Sequence, residues 1–361
     1  MKILVAGDCH SELHEEAVCK AFKELGHEVL KFGWHDYFKP TNGFIDRLSK
    51  KIQNRFITGP IIGRINRDFV KTAALFTPDL IFVYRGTHLT AGTLEEIKRQ
   101  LPDMTLVGYN NDDPFAKGHH YALWRHFLKS VPQYDLMFAY RHHNLDDFLR
   151  VGAKRVELLR SWYFQERNHP VSLSADDSQK YECDVVFIGH YEADDRKKYL
   201  EELVRQGFRL RLFGPGYDWD PVIKDSPELK PHIPVRLVWG EEYNKALCGA
   251  KVALCFLSKL NRDTYTRRCF EIPATGTLML SEYTDDQATL YKEGEEADYF
   301  RNEDELIGKV RKYLNDEKRR QTVAANGYRR VLEDGHDVVS RMKQVLESVK
   351  RIELERKGAR V

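Results

Sequence analysis

At 361 residues, 42% hydrophobic and 31% charged, the chain is long enough for two globular domains and too apolar to stay disordered. A net charge of +2 argues against a surface that tracks nucleic acid throughout, although it leaves room for a local basic patch. No run nears the roughly 18 apolar residues of a membrane span, and polar residues begin at Asp8, too early for a signal peptide. The six cysteines (Cys9, Cys19, Cys183, Cys248, Cys255, Cys269) lack metal-ligand spacing, and several sit in apolar runs as reduced core residues. Together these features predict a cytoplasmic protein.

The first half alternates strand and helix. Strands are predicted at 2–6, 27–32, 80–84, 105–109 and 136–139. A helix at 12–25 carries Leu13, Ala17, Ala21 and Leu25 on one face and ends at Gly26; another at 93–100 opens with Thr93 and Glu96 as a capping box. Between them, residues 39–71 hold eight Lys or Arg against two Asp, with Ile45, Leu48, Ile52, Phe56 and Ile57 interleaved. That segment reads either as the solvated face of helices or as an amphipathic insertion that meets an anionic surface.

Residues 160–180, with Asn168-His169-Pro170 and a polar run at 172–180, read as a connector. The pattern then restarts. Strands are predicted at 183–189, 209–213, 235–238, 252–256 and 277–281, and helices at 196–206, 241–248, 303–314, 317–332 and 338–355. Strands alternating with helices imply parallel sheets covered on both faces. The expected architecture is α/β: two tandem Rossmann-like, doubly wound domains, at 1–170 and 181–337, facing across a cleft lined by the carboxyl ends of their strands.

The segment Asn261-Arg262-Asp263-Thr264-Tyr265-Thr266-Arg267-Arg268-Cys269-Phe270-Glu271-Ile272-Pro273-Ala274-Thr275-Gly276-Thr277 follows an apolar run. Thr266 is suited to cap a helix start, where free amides attract an anion. Arg267 and Arg268 in the first turn oppose the helix dipole, which makes sense if a pyrophosphate is their partner. Asp263 and Glu271, eight positions apart, are placed to hold sugar hydroxyls. The alternative is a solvated helix face with ordinary ion pairs.

These residues carry a family resemblance. The segments Pro78-Asp79-Leu80-Ile81-Phe82-Val83-Tyr84-Arg85-Gly86, Asn111-Asp112-Asp113-Pro114, Asp184-Val185-Val186-Phe187-Ile188-Gly189 and Thr266-Arg267-Arg268-Cys269-Phe270-Glu271, with Ala274 and Gly276, occur in order. Ala324-Ala325-Asn326-Gly327, His336 and Arg341 follow. The chain resembles GT-B fold glycosyltransferases and, more narrowly, the CgeB-like, spore-maturation group. The resemblance implies transfer of a sugar, of hexosyltransferase type, from a nucleotide-diphosphate sugar to an unidentified acceptor. No metal or other cofactor is expected, and retention of configuration is favoured. Retaining GT-B enzymes carry two glutamates separated by seven residues; Glu271 matches the second, and Asp263 replaces the first with a shorter arm. The resemblance also implies that the last helix, 338–361, packs back on the first domain.

On this reading Glu271 holds the donor ribose and Arg268 faces the diphosphate, with Arg267 or Arg196 as helper. Gly189 admits phosphate close to the backbone. Gly214, Gly216 and Tyr217, or Trp239 and Gly240, lie by the nucleobase. Asp112 and Asp113, at a strand end, are candidates for acceptor binding or for a general base, or else form a turn cap. Arg85, His88 and His10 are further acceptor-side candidates. The acceptor is a glycan, a lipid-linked or small molecule, or a modified nucleic acid. Competing readings are a nucleotide-sugar epimerase or phosphorylase on the same fold, and a non-catalytic nucleotide-binding relative.

Overall fold

The uninterrupted apolar runs become parallel strands buried on both faces, because helices cover each sheet on its two sides. The computed structural model describes residues 1–39 and 43–358. The chain divides into two units: Met1–Ser161 joined by the helix that starts at Val338, and Trp162–Asp337.

The first unit holds β1 (Lys2–Gly7), α1 (Glu15–Glu24), β2 (Glu28–Gly33), α2 (Phe44–Phe56), α3 (Pro60–Phe76), β3 (Leu80–Tyr84), α4 (Ala91–Gln100) and β4 (Thr105–Asn110). It continues through α5 (Tyr121–Ser130), β5 (Leu136–Ala139), α6 (His143–Arg150) and β6 (Val156–Leu158). Its six strands run in the order β2-β1-β3-β4-β5-β6. Gly7 pairs with Gly33, and Ala6 with Val83, so β1 and its two neighbours end at one level. The core gathers Leu4, Trp34, Ile65, Phe69, Ile81 and Leu106.

The second unit holds α7 (Ala175–Tyr181), β7 (Cys183–Ile188), α8 (Arg196–Arg205), β8 (Leu210–Phe213), α9 (Gly216–Ile223), α10 (Glu241–Cys248), β9 (Ala250–Cys255) and α11 (Arg268–Ala274). After these come β10 (Leu278–Glu282), α12 (Asp285–Ala288), β11 (Asp298–Phe300), α13 (Glu303–Asn315) and α14 (Glu317–Glu333). The strand order is β11-β10-β9-β7-β8. The last helix, α15 (Val338–Gly358), belongs to the first unit and packs on α1. Among the described residues, no helix is long and apolar enough to cross a membrane.

Both sheets are doubly wound. Chain direction across the sheet reverses between β1 and β3 in one unit, and between β7 and β9 in the other. Those switch points are where open α/β sheets bind ligands.

Several local expectations need correction. Residues 235–238 alternate like a strand but stay outside the sheet. Their backbone is used elsewhere: Val235 N–H donates to Asp220 Oδ1 and Arg236 O accepts from Gly214 N–H. The polar run at 172–180 contains α7, started by a Ser174–Asp177 capping box. Helix α4 starts two residues before the proposed Thr93 box, capped by Thr90. The three-residue strands β6 and β11 add to the expected ones; each is too short to show a period in the sequence.

Candidate donor site and the ends of the first sheet

In the second unit, the switch point brings the end of β7 beside the start of α11. Arg268, the first residue of α11, crosses to Gly189 just past β7. A methyl group added to Gly189 would lie 2.8 Å from Phe187 Cζ and 3.3 Å from both Arg268 Cζ and Nη2, so a larger residue here would press on the Phe187 ring and crowd the guanidinium. Arg268 Nε is buried without a hydrogen-bond acceptor. Among the described residues the guanidinium makes no hydrogen bond or ion pair. Nearby charges, Glu271 among them, favour the cation, but no acceptor meets its buried Nε–H, and an incoming anion would supply one.

One turn along the same helix face, Glu271 is buried and accepts a hydrogen bond from Tyr243 Oη at 2.8 Å. Burial, and then the Glu271 charge, hold the Tyr243 phenol well above its usual pKa, so it acts as donor. Tyr243 lies on α10, far away in sequence, and no spacing signal pointed to it. Pro273 sits inside α11, which is only seven residues long.

Thr266 does not cap α11. Arg267 occupies the N-cap position with no side-chain cap bond, and Thr266 N–H donates to Cys269 Sγ at 3.4 Å. Asp263 closes the preceding loop: its N–H donates to Ser258 O, and its Oδ2 accepts Ser258 N–H at 3.4 Å.

Gly189 and Gly214 meet at the ends of β7 and β8. A Cβ on Gly214 would lie 2.2 Å from Gly189 O, which already accepts the Trp219 indole N–H at 2.8 Å. Gly216 opens α9, where an added Cβ would lie 2.7 Å from Val235 O. Gly240, at φ +55°, caps α10. Tyr217 and Trp239 are 76% and 61% exposed, so neither is a core residue.

Arg196 does not match its expected role as a free phosphate cation. It is 3% exposed and its guanidinium is fully held: Nε and Nη2 each donate to Asp194 at 2.7 Å, and Nη1 donates to His190 O at 2.7 Å. It fixes the β7–α8 loop. A cavity of about 600 Å³ opens at the amino ends of the same strands, beside Cys183, Cys248, Lys251 and Tyr328. No candidate residue lines it.

In the first unit, Arg85 (φ +63°) pairs with Asp112 at 2.7 Å and lies over the Trp124 ring. Asp113 is fully buried and does not suit a general base. It accepts from Phe115 N–H and Asn144 Nδ2 at 3.1 and 3.0 Å, with His143 Nε2 at 3.4 Å, and so acts as a turn cap. His88 is also withdrawn from any ligand. It stacks on Trp34, and its nitrogens lie 2.9 Å from Thr87 Oγ1 and 3.0 Å from Asn54 Oδ1. Burial, and then the Arg85 charge, lower its pKa to about 3.

His10, by contrast, is exposed past β1 and contacts the Asp8 carboxylate, which also lies 3.6 Å from His35 Nδ1. Asp8, His10 and His35 bring three ligand atoms within 4.8 Å of one another, as do Asp113, His143 and Asp147. Sequence spacing points to no metal site; these groupings come from different strand ends and are visible only in the fold. In the second grouping, protein hydrogen bonds already occupy both carboxylates.

Residues 196–347 match the family model described as glycosyl transferase-like. No curated protein matches the chain. Among solved structures, Anabaena HepE in complex with UDP and glucose superposes with a TM-score of 0.67 at 13% identity, covering 97% of this chain and 100% of that one. Sucrose-phosphate synthase from Thermosynechococcus elongatus gives 0.65 at 13% identity, over 97% and 99%. A glycosyltransferase from Rickettsia africae gives 0.68 at 10% identity, over 97% and 98%. The fold is that of GT-B glycosyltransferases.

Proposed function

We propose that the protein is a glycosyltransferase that moves a sugar, taken to be a hexose, from a nucleoside diphosphate donor to an acceptor. The observation that carries this reading is Arg268, whose guanidinium lies against Gly189 at the switch point and makes no hydrogen bond among the described residues, with Glu271 one turn away. The departing nucleoside diphosphate develops negative charge, and a preorganised cation stabilises it. Arg268 takes that role; Gly189 admits the phosphate and Glu271 accepts the ribose hydroxyls. Arg267 and Thr266 border the site. Tyr217 and Trp239, beside Gly214, Gly216 and Gly240, offer rings for the base to stack on. Asp263 is proposed to contact the transferred sugar.

UDP is the first nucleotide to try, because HepE has been captured with UDP and with UDP-glucose. The CgeB-like affiliation rests on the Thr266 to Gly276 pattern. The six free cysteines suit a reducing cytoplasm. On the acceptor side, Asp112, Arg85 and His10 remain candidates. With Asp113 buried and Asp112 paired to Arg85, neither carboxylate is a free base, and retention is the outcome we propose.

The test is calorimetric binding of nucleoside diphosphates and their sugars to the whole protein, with Arg268→Ala and Glu271→Ala. Arg268→Ala is expected to weaken donor binding at least a hundredfold, on the order of 3 kcal/mol for a charged hydrogen-bonding partner. Glu271→Ala is expected to weaken it about tenfold. EDTA should leave wild-type binding unchanged if the donor is held without metal. Equal affinity of wild type and Arg268→Ala would overturn the assignment. Incubating donor without acceptor separates the other enzymes on this fold, since an epimerase would convert it alone.

A further inference from the structure

Helix α2 is amphipathic in the reverse of the usual sense. Its polar side faces the protein: Gln53 Oε1 accepts Ile61 N–H at 2.9 Å, Asn54 Oδ1 meets His88 Nε2 at 3.0 Å, and Lys50 Nζ donates to Lys39 O at 2.8 Å. Its apolar side faces out. Phe44 and Ile45 are 79% and 82% exposed; Leu48, Ile52 and Phe56 are exposed as well, and no residue of α2 is buried. At 3.6 residues per turn, positions 44, 45, 48, 52 and 56 fall within an arc of roughly 120°. A surface helix normally buries such a stripe, so one turned outward marks an interaction surface.

Charge selects the occupant. Arg47, Lys51 and Arg55 lie within or beside the stripe, all exposed, and among the described residues none pairs with a carboxylate. The one acid of the helix, Asp46, is neutralised by Lys50 at 3.1 Å. A second copy docking stripe to stripe would set these three cations against their own equivalents. An anionic lipid surface complements both features, taking the apolar side chains below the headgroups and the cations among them.

We propose that α2 seats the protein on anionic lipid bilayers, with Phe44, Ile45, Leu48 and Ile52 inserted and Arg47, Lys51 and Arg55 at the headgroups. The inference does not depend on the nucleotide site, and its readout is vesicle partition rather than turnover.

The test is co-sedimentation of the whole protein with phosphatidylcholine vesicles and with vesicles half phosphatidylglycerol, at low and high salt. Binding is expected only to the anionic vesicles, and should weaken as salt rises. The triple change Arg47→Ala, Lys51→Ala, Arg55→Ala should weaken it about a hundredfold. Leu48→Glu with Ile52→Glu should reduce it at least tenfold. All these side chains are exposed, so melting temperature and circular dichroism should stay at wild-type values. Absence of binding to anionic vesicles at low salt, or equal binding by the Leu48/Ile52 variant, overturns the proposal. So does a dimer that the Leu48/Ile52 variant dissolves, because the stripe would then be a contact between copies.

Discussion

His88 illustrates how one residue type can serve opposite ends. The acceptor-side reading treated it like His10, yet the first is sealed in the core and the second is exposed. Burial of His88 has a measurable consequence. Its folded pKa is about 3, while an unfolded histidine titrates near 6.5. Below 6.5 the unfolded chain takes up a proton that the folded chain refuses. The stability from a neutral His88 is therefore complete above pH 6.5 and is lost as pH falls toward 3. Between pH 7 and pH 4.5 the loss should be roughly 3 kcal/mol. His88→Gln removes the titration, so its urea midpoint should fall less over that interval than the wild-type midpoint. Parallel decline of the two proteins would show that His88 is not the group concerned.

Among elements, the closest approach lies where β7 and β8 end. Gly214 needs its missing side chain because a backbone oxygen, Gly189 O, occupies the space. Gly214→Ala should destabilise the second unit by about 2 kcal/mol, since backbone must shift, and should weaken donor binding by moving Gly189 against Arg268. Gly308, inside α13, has nothing within 4 Å of an added methyl. Gly308→Ala should stabilise by about 0.5–1 kcal/mol, and urea midpoints of the two variants should move in opposite directions. The same local-versus-distant distinction decides what the sequence reveals. Arg268 and Glu271 share a helix face through short spacing, so their association is legible. Tyr243, which positions Glu271, comes from another helix and is not. Long apolar strands were readable from composition, whereas β11 begins with Asp298, whose charge is held by Lys309 and Tyr313 across the fold. Thr90 and Thr93 both satisfy local capping rules. The choice is made from α3, where Asn66 Oδ1 accepts both Thr90 N–H and the Thr93 hydroxyl.

At the scale of the whole molecule, the chain leaves its first unit at Ser161 and returns at Val338, so that unit is discontinuous in sequence. Its last helix is structural. Val338, Met342, Val345, Val349 and Ile352 are buried, Arg356 pairs with Asp135 at 2.9 Å, and Arg351 with Glu157 at 2.8 Å. Five buried apolar side chains at about 1.5–3 kcal/mol each come to roughly 10 kcal/mol, as large as the net stability of an ordinary domain. A chain ended after Asp337 should therefore lose the cooperative melting of the first unit. The second unit, continuous from Trp162 to Asp337 with its own sheet and core, should still unfold in a single transition. Calorimetry of the truncated chain beside a 162–337 fragment checks this directly. Matching transitions, with nothing more from residues 1–161, is the expected result. A truncated chain that keeps a separate transition for its first 161 residues would mean that the sheet of the first unit stands without its returning helix.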